Sequence, residues 1–227
     1  MPNKLIEMSS RLYNTPHLID QQSFKWVESV IAAQASPEAK VADKSVDKKD
    51  KQRDLQYNEE SKVGVLSVHG PLTYVEYEAM CGEANASYQG ISAEFDALAK
   101  AGAKTIVMDV DGPGGEAYGM METGRELRKK ADAAGINLLA YVDGLAASAT
   151  YGLTAAAHEI IVNPEAEVGS IGVVVKLRNV NGAMKEMGVK DTYVYAGKSK
   201  IPYDADGEFT EEFVADVTEK VNAIYER

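Results

Sequence analysis

The sequence predicts an α/β fold in which a mostly parallel sheet carries helices on its faces. Two observations predict it. From residue 62 onward, β-branched apolar runs alternate with amphipathic segments of helical period, and most of these runs end at glycine or proline turns. Such alternation implies right-handed crossovers between parallel strands. In sheets of this kind, sites form beyond the carboxyl ends of the strands, so we expect function in the turns that follow strands.

The predicted elements follow one another in regular order. Strands are expected at 63–68, 105–110, 137–142, 160–162, 171–175 and 192–195. Helices are expected at 91–101, 117–134, 147–157 and 181–187, and a last helix begins near Thr210. Phe95 and Leu98 should face the core from the first of these helices, and Gly135 should end the second.

The first 61 residues depart from this pattern. From Leu18 to Gln34, apolar residues recur at roughly helical spacing, which predicts one amphipathic helix that packs on its own domain or on a partner. Residues 36–61 mix acidic and basic side chains with few large aliphatic ones, so they bury too little apolar surface to fold; a charged ligand-binding helix is the alternative. We predict an N-terminal helical segment (1–35), a charged flexible linker (36–61) and one domain (62–227).

The composition excludes several classes of protein. A formal net charge of −11 argues against nucleic-acid binding, which needs a cationic surface. No apolar run approaches the roughly 20 residues that span a bilayer, and the amino terminus lacks an uninterrupted apolar signal segment. The single cysteine, Cys81, fits a reducing compartment. We expect a cytoplasmic protein that contacts no membrane and needs neither cofactor nor metal.

The turn Gly112-Pro113-Gly114-Gly115 follows the strand predicted at 105–110. Paired glycines let the backbone approach a ligand closely and aim amide N–H groups outward, where they can stabilise an oxyanion. The alternative is a glycine turn that only changes the direction of the chain. The motif alone does not separate the two interpretations.

Ser148 stands at the start of a predicted helix, amid small residues. Its hydroxyl is either a nucleophile beside free helix amides or an N-cap of the helix. A serine nucleophile needs a base. His17, His69 and His158 each lack an obvious orienting carboxylate, and His69 is better explained as a turn residue.

Lysine can act as the base if it is uncharged. Burial lowers a lysine pKa from about 10.4 toward the ~7–8 that suits a general base. Lys200 follows a predicted strand and precedes the apolar Ile201-Pro202, so we expect it to be buried. Lys198 would face the other side of an extended segment. Ordinary surface lysines are the alternative.

Five motifs, in this order, resemble the signal peptide peptidase A family of serine peptidases, which share a fold with Clp protease and the crotonases. The first is an early Gly-Pro turn, Gly70-Pro71, and the second is a Gly-Gly turn after a strand, Gly112-Pro113-Gly114-Gly115. The third is a nucleophile motif, Ala146-Ala147-Ser148, and the fourth is the pair Asn163-Pro164 with the following Gly169-Ser170-Ile171-Gly172. The fifth is a Gly-x-x-Lys base motif, Gly197-Lys198-Ser199-Lys200. The resemblance runs from about Val63 to the end and implies a Clp protease/crotonase-like fold.

The resemblance also implies roles for the residues of these motifs. Ser148 is the nucleophile and Lys200 its general base, 52 residues apart, which is close to the family's spacing. Ser170 hydrogen-bonds the lysine amine and orients it. The amides of Gly114 and Ala149 form the oxyanion hole.

Gly115 is the expected substrate-binding residue beside this dyad. The sequence departs from the family at two places near the site. Ala149-Thr150 follows the nucleophile where the family usually has glycine, and Asp111-Gly112 stands where a serine commonly precedes the proline.

A phage branch of the family fits the ends of the chain best. The membrane anchor of other members is absent, and the segments Arg11-Leu12-Tyr13-Asn14-Thr15-Pro16 and Pro202-Tyr203 resemble capsid assembly (prohead) proteases. The resemblance implies a homo-oligomeric endopeptidase that cleaves scaffold and other head proteins. In many such relatives a scaffolding region follows, so we expect a fragment or a cleaved form. The alternatives are a cytosolic housekeeping peptidase, a crotonase-type acyl-CoA enzyme and an assembly module with a decayed site.

Overall fold

The computed structural model describes residues 12–35, 55–75, 86–197 and 200–227. Residues 36–54 of the predicted linker and Cys81 lie outside these ranges. The strands are β1 (His17–Ile19), β2 (Tyr57–Asn58), β3 (Val63–His69), β4 (Thr105–Gly112), β5 (Gly114–Glu116), β6 (Asn137–Ala147), β7 (Glu159–Val162) and β8 (Glu167–Gly169). The helices are α1 (Gln21–Ala35), α2 (Tyr88–Ala101), α3 (Met120–Ala134), α4 (Ala149–Thr154), α5 (Asn181–Glu186) and α6 (Glu211–Tyr225).

The main sheet has the order β2-β3-β4-β6-β7, with β8 beside the end of β6. Strands β3, β4, β6 and β7 run parallel, and β2 is antiparallel to β3. Along β3 and β4 every second side chain is buried, as expected for strands with a core-facing face. Leu66, Met108, Leu127 and Leu153 from strands and helices share one core. The predicted α/β class, with a parallel sheet and flanking helices, is confirmed.

Helices α2 and α3 show how local sequence sets element ends. Ser87 caps α2, since its side chain accepts a hydrogen bond from the Gly90 amide at 3.0 Å. Phe95 and Leu98 are buried as predicted. Gly135 ends α3 in the left-handed conformation, with φ 61°, which also confirms its predicted role. Helix α3 begins three residues later than predicted.

Near the amino terminus, the predicted single helix is wrong at its start. His17–Ile19 forms β1, and α1 begins only at Gln21. The carboxylate of Asp20 sets this boundary, because it accepts hydrogen bonds from the amides of Gln22 (2.9 Å) and Ser23 (3.1 Å). Strand β1 pairs antiparallel with β5, so this segment packs on the chain's own domain. Tyr57–Asn58, at the end of the predicted linker, pair with β3 as β2.

The carboxyl-terminal part differs most from the expectation. No strand forms over 171–175 or 192–195, and the strand that does form, β8, lies earlier, at Glu167–Gly169. Alternating apolar residues make a strand only where a neighbour pairs with them, and here Ile171 is 72% and Val194 is 96% exposed. Helices α5 and α6 form where predicted. None of the described helices is both long enough and apolar enough to cross a bilayer.

Candidate active site

Ser148 lies at the junction between β6, which ends at Ala147, and α4, which begins at Ala149. Its backbone has φ 55° and ψ −116°, a conformation that costs a non-glycine residue on the order of 1–3 kcal/mol. A strained strand-to-helix turn of this kind presents the nucleophilic serine in α/β-hydrolases. The capping role is excluded, because the Ser148 side chain makes no capping hydrogen bond.

Backbone hydrogen bonds hold Ser148 in this conformation. Its amide donates to the Gly169 carbonyl at 2.7 Å, and its carbonyl accepts from the Gly152 amide at 2.9 Å. The hydroxyl Oγ lies 3.5 Å from the Gly172 carbonyl oxygen, which is at the limit of a hydrogen bond. The residue is only 6% exposed. Its backbone is therefore fixed, while its hydroxyl has no strong partner among the described residues.

Strand β6 reaches Ser148 by changing partners. Its first part pairs with β7 up to Val142, and its last three residues, Leu145 to Ala147, pair with β8. Where the second part begins, Asp111 Oδ1 accepts a hydrogen bond from the Leu145 amide at 3.0 Å. The register of β4 against β6 also shifts here, between Val110 and Gly112. A bulge of this kind redirects a strand end, and here it carries Ser148.

Thr150 joins α4, the helix that follows Ser148, to the glycine turn. Its Oγ1 accepts a buried hydrogen bond from the Gly114 amide at 3.0 Å, and its side chain fills the space that a Cβ on Gly112 would need. The Gly114 amide, predicted for the oxyanion hole, thus already has a partner in this structure. The sequence analysis noted Thr150 only as a departure from the family. Its place two residues after Ser148, on a helix facing the turn, was the available signal.

Ala149, the other predicted oxyanion residue, is fully buried. It is the first residue of α4, and the amides of a first helical turn have no acceptor within their own helix. Its N–H is therefore placed, in chain order, directly beside the Ser148 hydroxyl. Its role in an oxyanion hole stays a prediction.

Gly114 and Gly115 are required by close backbone contacts on both sides of β5. A Cβ on Gly114, which has φ 102°, would overlap the carbonyl oxygen of Leu18 in β1. A Cβ on Gly115 would overlap the carbonyl oxygen of Leu72. On that side, the Leu72 amide donates to the Gly114 carbonyl at 2.8 Å and its carbonyl accepts from the Glu116 amide at 2.9 Å. The glycine pair thus lets the backbones of Leu18 and Leu72 approach β5 from its two sides, in addition to turning the chain.

A buried polar cluster supports the end of β5. The Tyr88 hydroxyl donates to the Glu116 carbonyl at 2.6 Å, and the Glu116 carboxylate accepts from the Tyr74 amide at 2.8 Å. Burial, with the Glu116 charge adding to it, raises the pKa of the Tyr88 phenol far above its usual value. The phenol therefore stays a hydrogen-bond donor at any working pH. The sequence analysis did not identify this cluster.

Lys200 and Ser170, the other predicted members of the dyad machinery, lie at the surface. Both residues are exposed, so the predicted burial of Lys200 is wrong for the single chain. The physical reason is local: the Lys200 amide closes a turn onto the Gly197 carbonyl at 3.4 Å, and the preceding residues form no strand that would enter the core. Among the described residues, no hydrogen bond joins Lys200 to Ser148. Ser170, like Ser148, has a positive φ, here 52°.

The histidines have partners of their own. His69 Nε2 lies 3.0 Å from the Asp109 carboxylate, and His158 Nε2 lies 2.8 Å from that of Asp132, so the expectation that neither has an orienting carboxylate is wrong. His158 Nδ1 also accepts from the Leu138 amide, which makes it a structural residue. No hydrogen bond links either ring to Ser148 within the described ranges. Those ranges also contain no group of three acidic, histidine or cysteine side chains suited to a metal.

Residues 130–227 match the sequence profile of peptidase family S49. The matched residues make up less than half of the chain. They include Ser148, Ser170 and Lys200, and they begin after the glycine pair of β5. The resemblance to signal peptide peptidase A stated from the motifs is thereby confirmed.

Three curated S49-like relatives show the extent of the similarity. The chain is 35% identical over 97 residues to a putative protease of Methanocaldococcus jannaschii, covering 43% of this chain and 30% of that protein. It is 26% identical over 169 residues to the putative signal peptide peptidase SppA of Enterococcus faecium, covering 73% and 48%. It is 30% identical over 145 residues to capsid assembly protease C of Escherichia phage lambda, covering 61% and 31%. The chain thus spans between 30% and 48% of the length of these relatives.

Among solved structures, a membrane-bound stomatin-specific protease in complex with a substrate peptide aligns with this chain. The identity is 14% and the TM-score 0.32, over 71% of this chain and 58% of that one.

Proposed function

We propose that this chain is a serine endopeptidase with a Ser-Lys dyad, in which Ser148 is the nucleophile and Lys200 the general base. One observation carries the proposal most directly: Ser148 is held in a strained strand-to-helix turn that serves no capping purpose. Strain of this kind persists where surrounding structure enforces it, and it clusters at active sites. The match of residues 130–227 to the profile of peptidase family S49 supports the same chemistry.

In the proposed reaction, the Ser148 oxygen attacks the carbonyl carbon of the scissile peptide while its proton passes to the uncharged Lys200 amine. The resulting oxyanion accepts hydrogen bonds from backbone amides, for which Ala149 is the candidate, joined by Gly114 once its amide leaves Thr150. When the C–N bond breaks, the lysine returns the proton to the leaving amine. Water then attacks the acyl-enzyme and gives its proton to the same base, which passes it to the departing Ser148 oxygen as the acid product leaves.

This mechanism requires Lys200 to come closer to Ser148 than the single chain shows. Burial favours the uncharged form of an amine, which is the form that can accept a proton. The segment that leads to Lys200 must therefore pack onto the site, by its own movement or against a second copy. Ser170, with its left-handed backbone beside the Ser148 support at Gly169, is the proposed orienting residue.

The proposal is tested by hydrolysis of a fluorescent casein substrate and by labelling with a serine-reactive phosphonate. Ser148→Ala and Lys200→Ala should each reduce hydrolysis by at least 100-fold, the order that nucleophile and base contribute. Lys198→Ala is the matched control, since it removes a lysine two residues away and should leave hydrolysis unchanged. Undiminished hydrolysis in both dyad variants would end the proposal. Failure of the phosphonate to label wild-type Ser148 would favour a decayed assembly module.

The biological role we propose is the cleavage of scaffold and head proteins during phage capsid maturation. It is supported by the similarity to capsid assembly protease C of phage lambda over 145 residues. Coexpression with the head proteins encoded beside this gene should give fragments that Ser148→Ala abolishes, with mass spectrometry identifying the cut bonds. A gene with no head genes around it, and activity on unrelated peptides only, would favour a housekeeping peptidase.

A further inference from the structure

The amino-terminal strand β1 lies between two backbone segments that border Ser148. On one side it pairs antiparallel with β5, with Leu18 opposite Gly115 and Ile19 opposite Gly114. On the other side, the amide and carbonyl of His17 exchange two hydrogen bonds with Val174, each 2.8 Å long. Strand β1 is therefore hydrogen-bonded along one edge by β5 and at His17 on the other edge.

Both neighbours of β1 are linked to the candidate nucleophile. The Gly114 amide in β5 donates to Thr150, two residues after Ser148. Two residues before Val174, the Gly172 carbonyl lies 3.5 Å from Ser148 Oγ. Counting two residues along each antiparallel strand from the His17–Val174 pair brings Ile19 to the level of Gly172. By this count β1 runs from β5 towards the segment whose Gly172 carbonyl contacts Ser148 Oγ.

An extended peptide is commonly bound by adding a strand to exposed backbone edges, which gives affinity through main-chain hydrogen bonds. One edge of β5 and the backbone of Val174, in the segment that contains Gly172, are both hydrogen-bonded to β1. We infer that residues 16–20 of the chain hold the place of an extended protein substrate and inhibit the peptidase until they are displaced. The inhibition rests on the proposed peptidase function. The position of β1 between β5 and Val174 does not depend on that function.

Side-chain contacts anchor the chain on both sides of the occupying segment. The Arg178 guanidinium lies 4.3 Å from the centre of the Tyr13 ring, and the Arg178 amide donates to the Asn14 side chain at 3.2 Å. Lys176 forms an ion pair with Glu28 of α1. These anchors join the amino-terminal segment to residues 174–178 without using Ser148, so they can be removed without touching the proposed machinery.

The binding test uses a fluorescein-labelled synthetic peptide with the sequence of residues 12–22, added to the full chain carrying Ser148→Ala so that nothing is cut. Two further changes loosen β1: His17→Pro removes the amide that donates to Val174, and Tyr13→Ala removes the Arg178 contact. Each should strengthen peptide binding by roughly 5- to 10-fold, the value of one lost hydrogen bond or cation–π contact to the internal competitor. Tyr225→Ala, at an exposed tyrosine of α6, is the matched control and should bind like the parent.

A third measurement needs no loosening variant. Saturating peptide should reduce the hydrogen-exchange protection of residues 12–20 in the Ser148→Ala chain, because the peptide replaces β1. Equal binding by parent and loosened chains, or unchanged protection with peptide, would overturn the inference. If either loosened chain fails to fold by circular dichroism, the other chain and the exchange measurement decide.

Hydrolysis separates the two proposals. In chains that keep Ser148, His17→Pro and Tyr13→Ala should raise casein hydrolysis by a similar factor over wild type. Hydrolysis that depends on Ser148 but does not rise in the loosened chains sinks the inference and leaves the peptidase intact. Tighter peptide binding without any hydrolysis sinks the peptidase and leaves the occupancy intact.

Discussion

Replacing Ser148 by glycine should stabilise the chain while removing its proposed nucleophile. At φ 55° and ψ −116° a serine carries strain of about 1–3 kcal/mol, which glycine does not. Glycine raises the conformational entropy of the unfolded chain, which costs about 0.4–1 kcal/mol. The net expectation is that Ser148→Gly unfolds with a free energy roughly 0.5–2 kcal/mol above that of Ser148→Ala.

Ser148→Ala is the right reference because it also removes the hydroxyl but keeps the strained Cβ. For a domain of this size, each kcal/mol shifts the melting temperature by about 2–4 °C, so the glycine chain should melt about 1–8 °C above the alanine chain. Urea titration followed by circular dichroism, with thermal melts on the same samples, measures the difference. Both chains should be inactive towards casein.

A glycine chain that melts at or below the alanine chain would refute the reasoning. It would mean that Ser148 is not strained in solution, and the main structural support for its role as nucleophile would be lost. Ser170→Gly offers a check at the second positive-φ serine, where φ is 52°. That residue is exposed, so relief of its strain should appear without any loss of buried contacts.

Two further predictions concern groups around the site and the helix behind it. Thr150→Val leaves the buried Gly114 amide without its acceptor and should lower the free energy of unfolding by about 1–3 kcal/mol in urea titration. Thr154→Val, which removes only a hydroxyl bonded to the Thr150 carbonyl, should cost less than half as much, and equal losses would contradict the assignment. For Asp132, the His158 hydrogen bond lowers the pKa of the carboxyl. A lowered folded-state pKa gives stability that is present above the unfolded value of about 3.9 and is lost as the pH falls through the folded one. Asp132→Asn should therefore lose less stability than wild type in acid titration below about pH 4, and parallel acid transitions would show that the pair contributes nothing.

Much of the fold follows from local pattern. The β-branched run that became β4 is buried on alternate residues, and Gly135 ends α3 because glycine adopts the left-handed conformation without cost. These features depend on neighbours in sequence and on one large core. They can therefore be predicted from one amino-acid sequence.

What the sequence did not predict depends on contacts between distant segments. Leu18 and Ile19 fitted a helical period, but pairing with β5, a strand almost 100 residues later, and the cap by Asp20 place them in a strand. Residues 171–175 alternate like a strand, yet only Val174 finds a bridge. The position of Lys200 depends in the same way on what packs over its segment, which periodicity does not encode.

The division of β6 between two neighbours has a consequence for how the site comes apart. Residues 139–142 pair with β4 and with β7 at every position, whereas residues 145–147 pair with β8 but meet β4 only where Ala146 stands opposite Gly112, next to the Asp111 carboxylate that accepts from the Leu145 amide. The last turn before Ser148 can therefore open locally while the central sheet stays closed, since protection follows the number of bonds that must break together. Amides of Leu145 to Ala147 should exchange with solvent deuterium well ahead of those in Leu139 to Val142. In mild denaturant, Ser148 should then lose its fixed position before the domain unfolds.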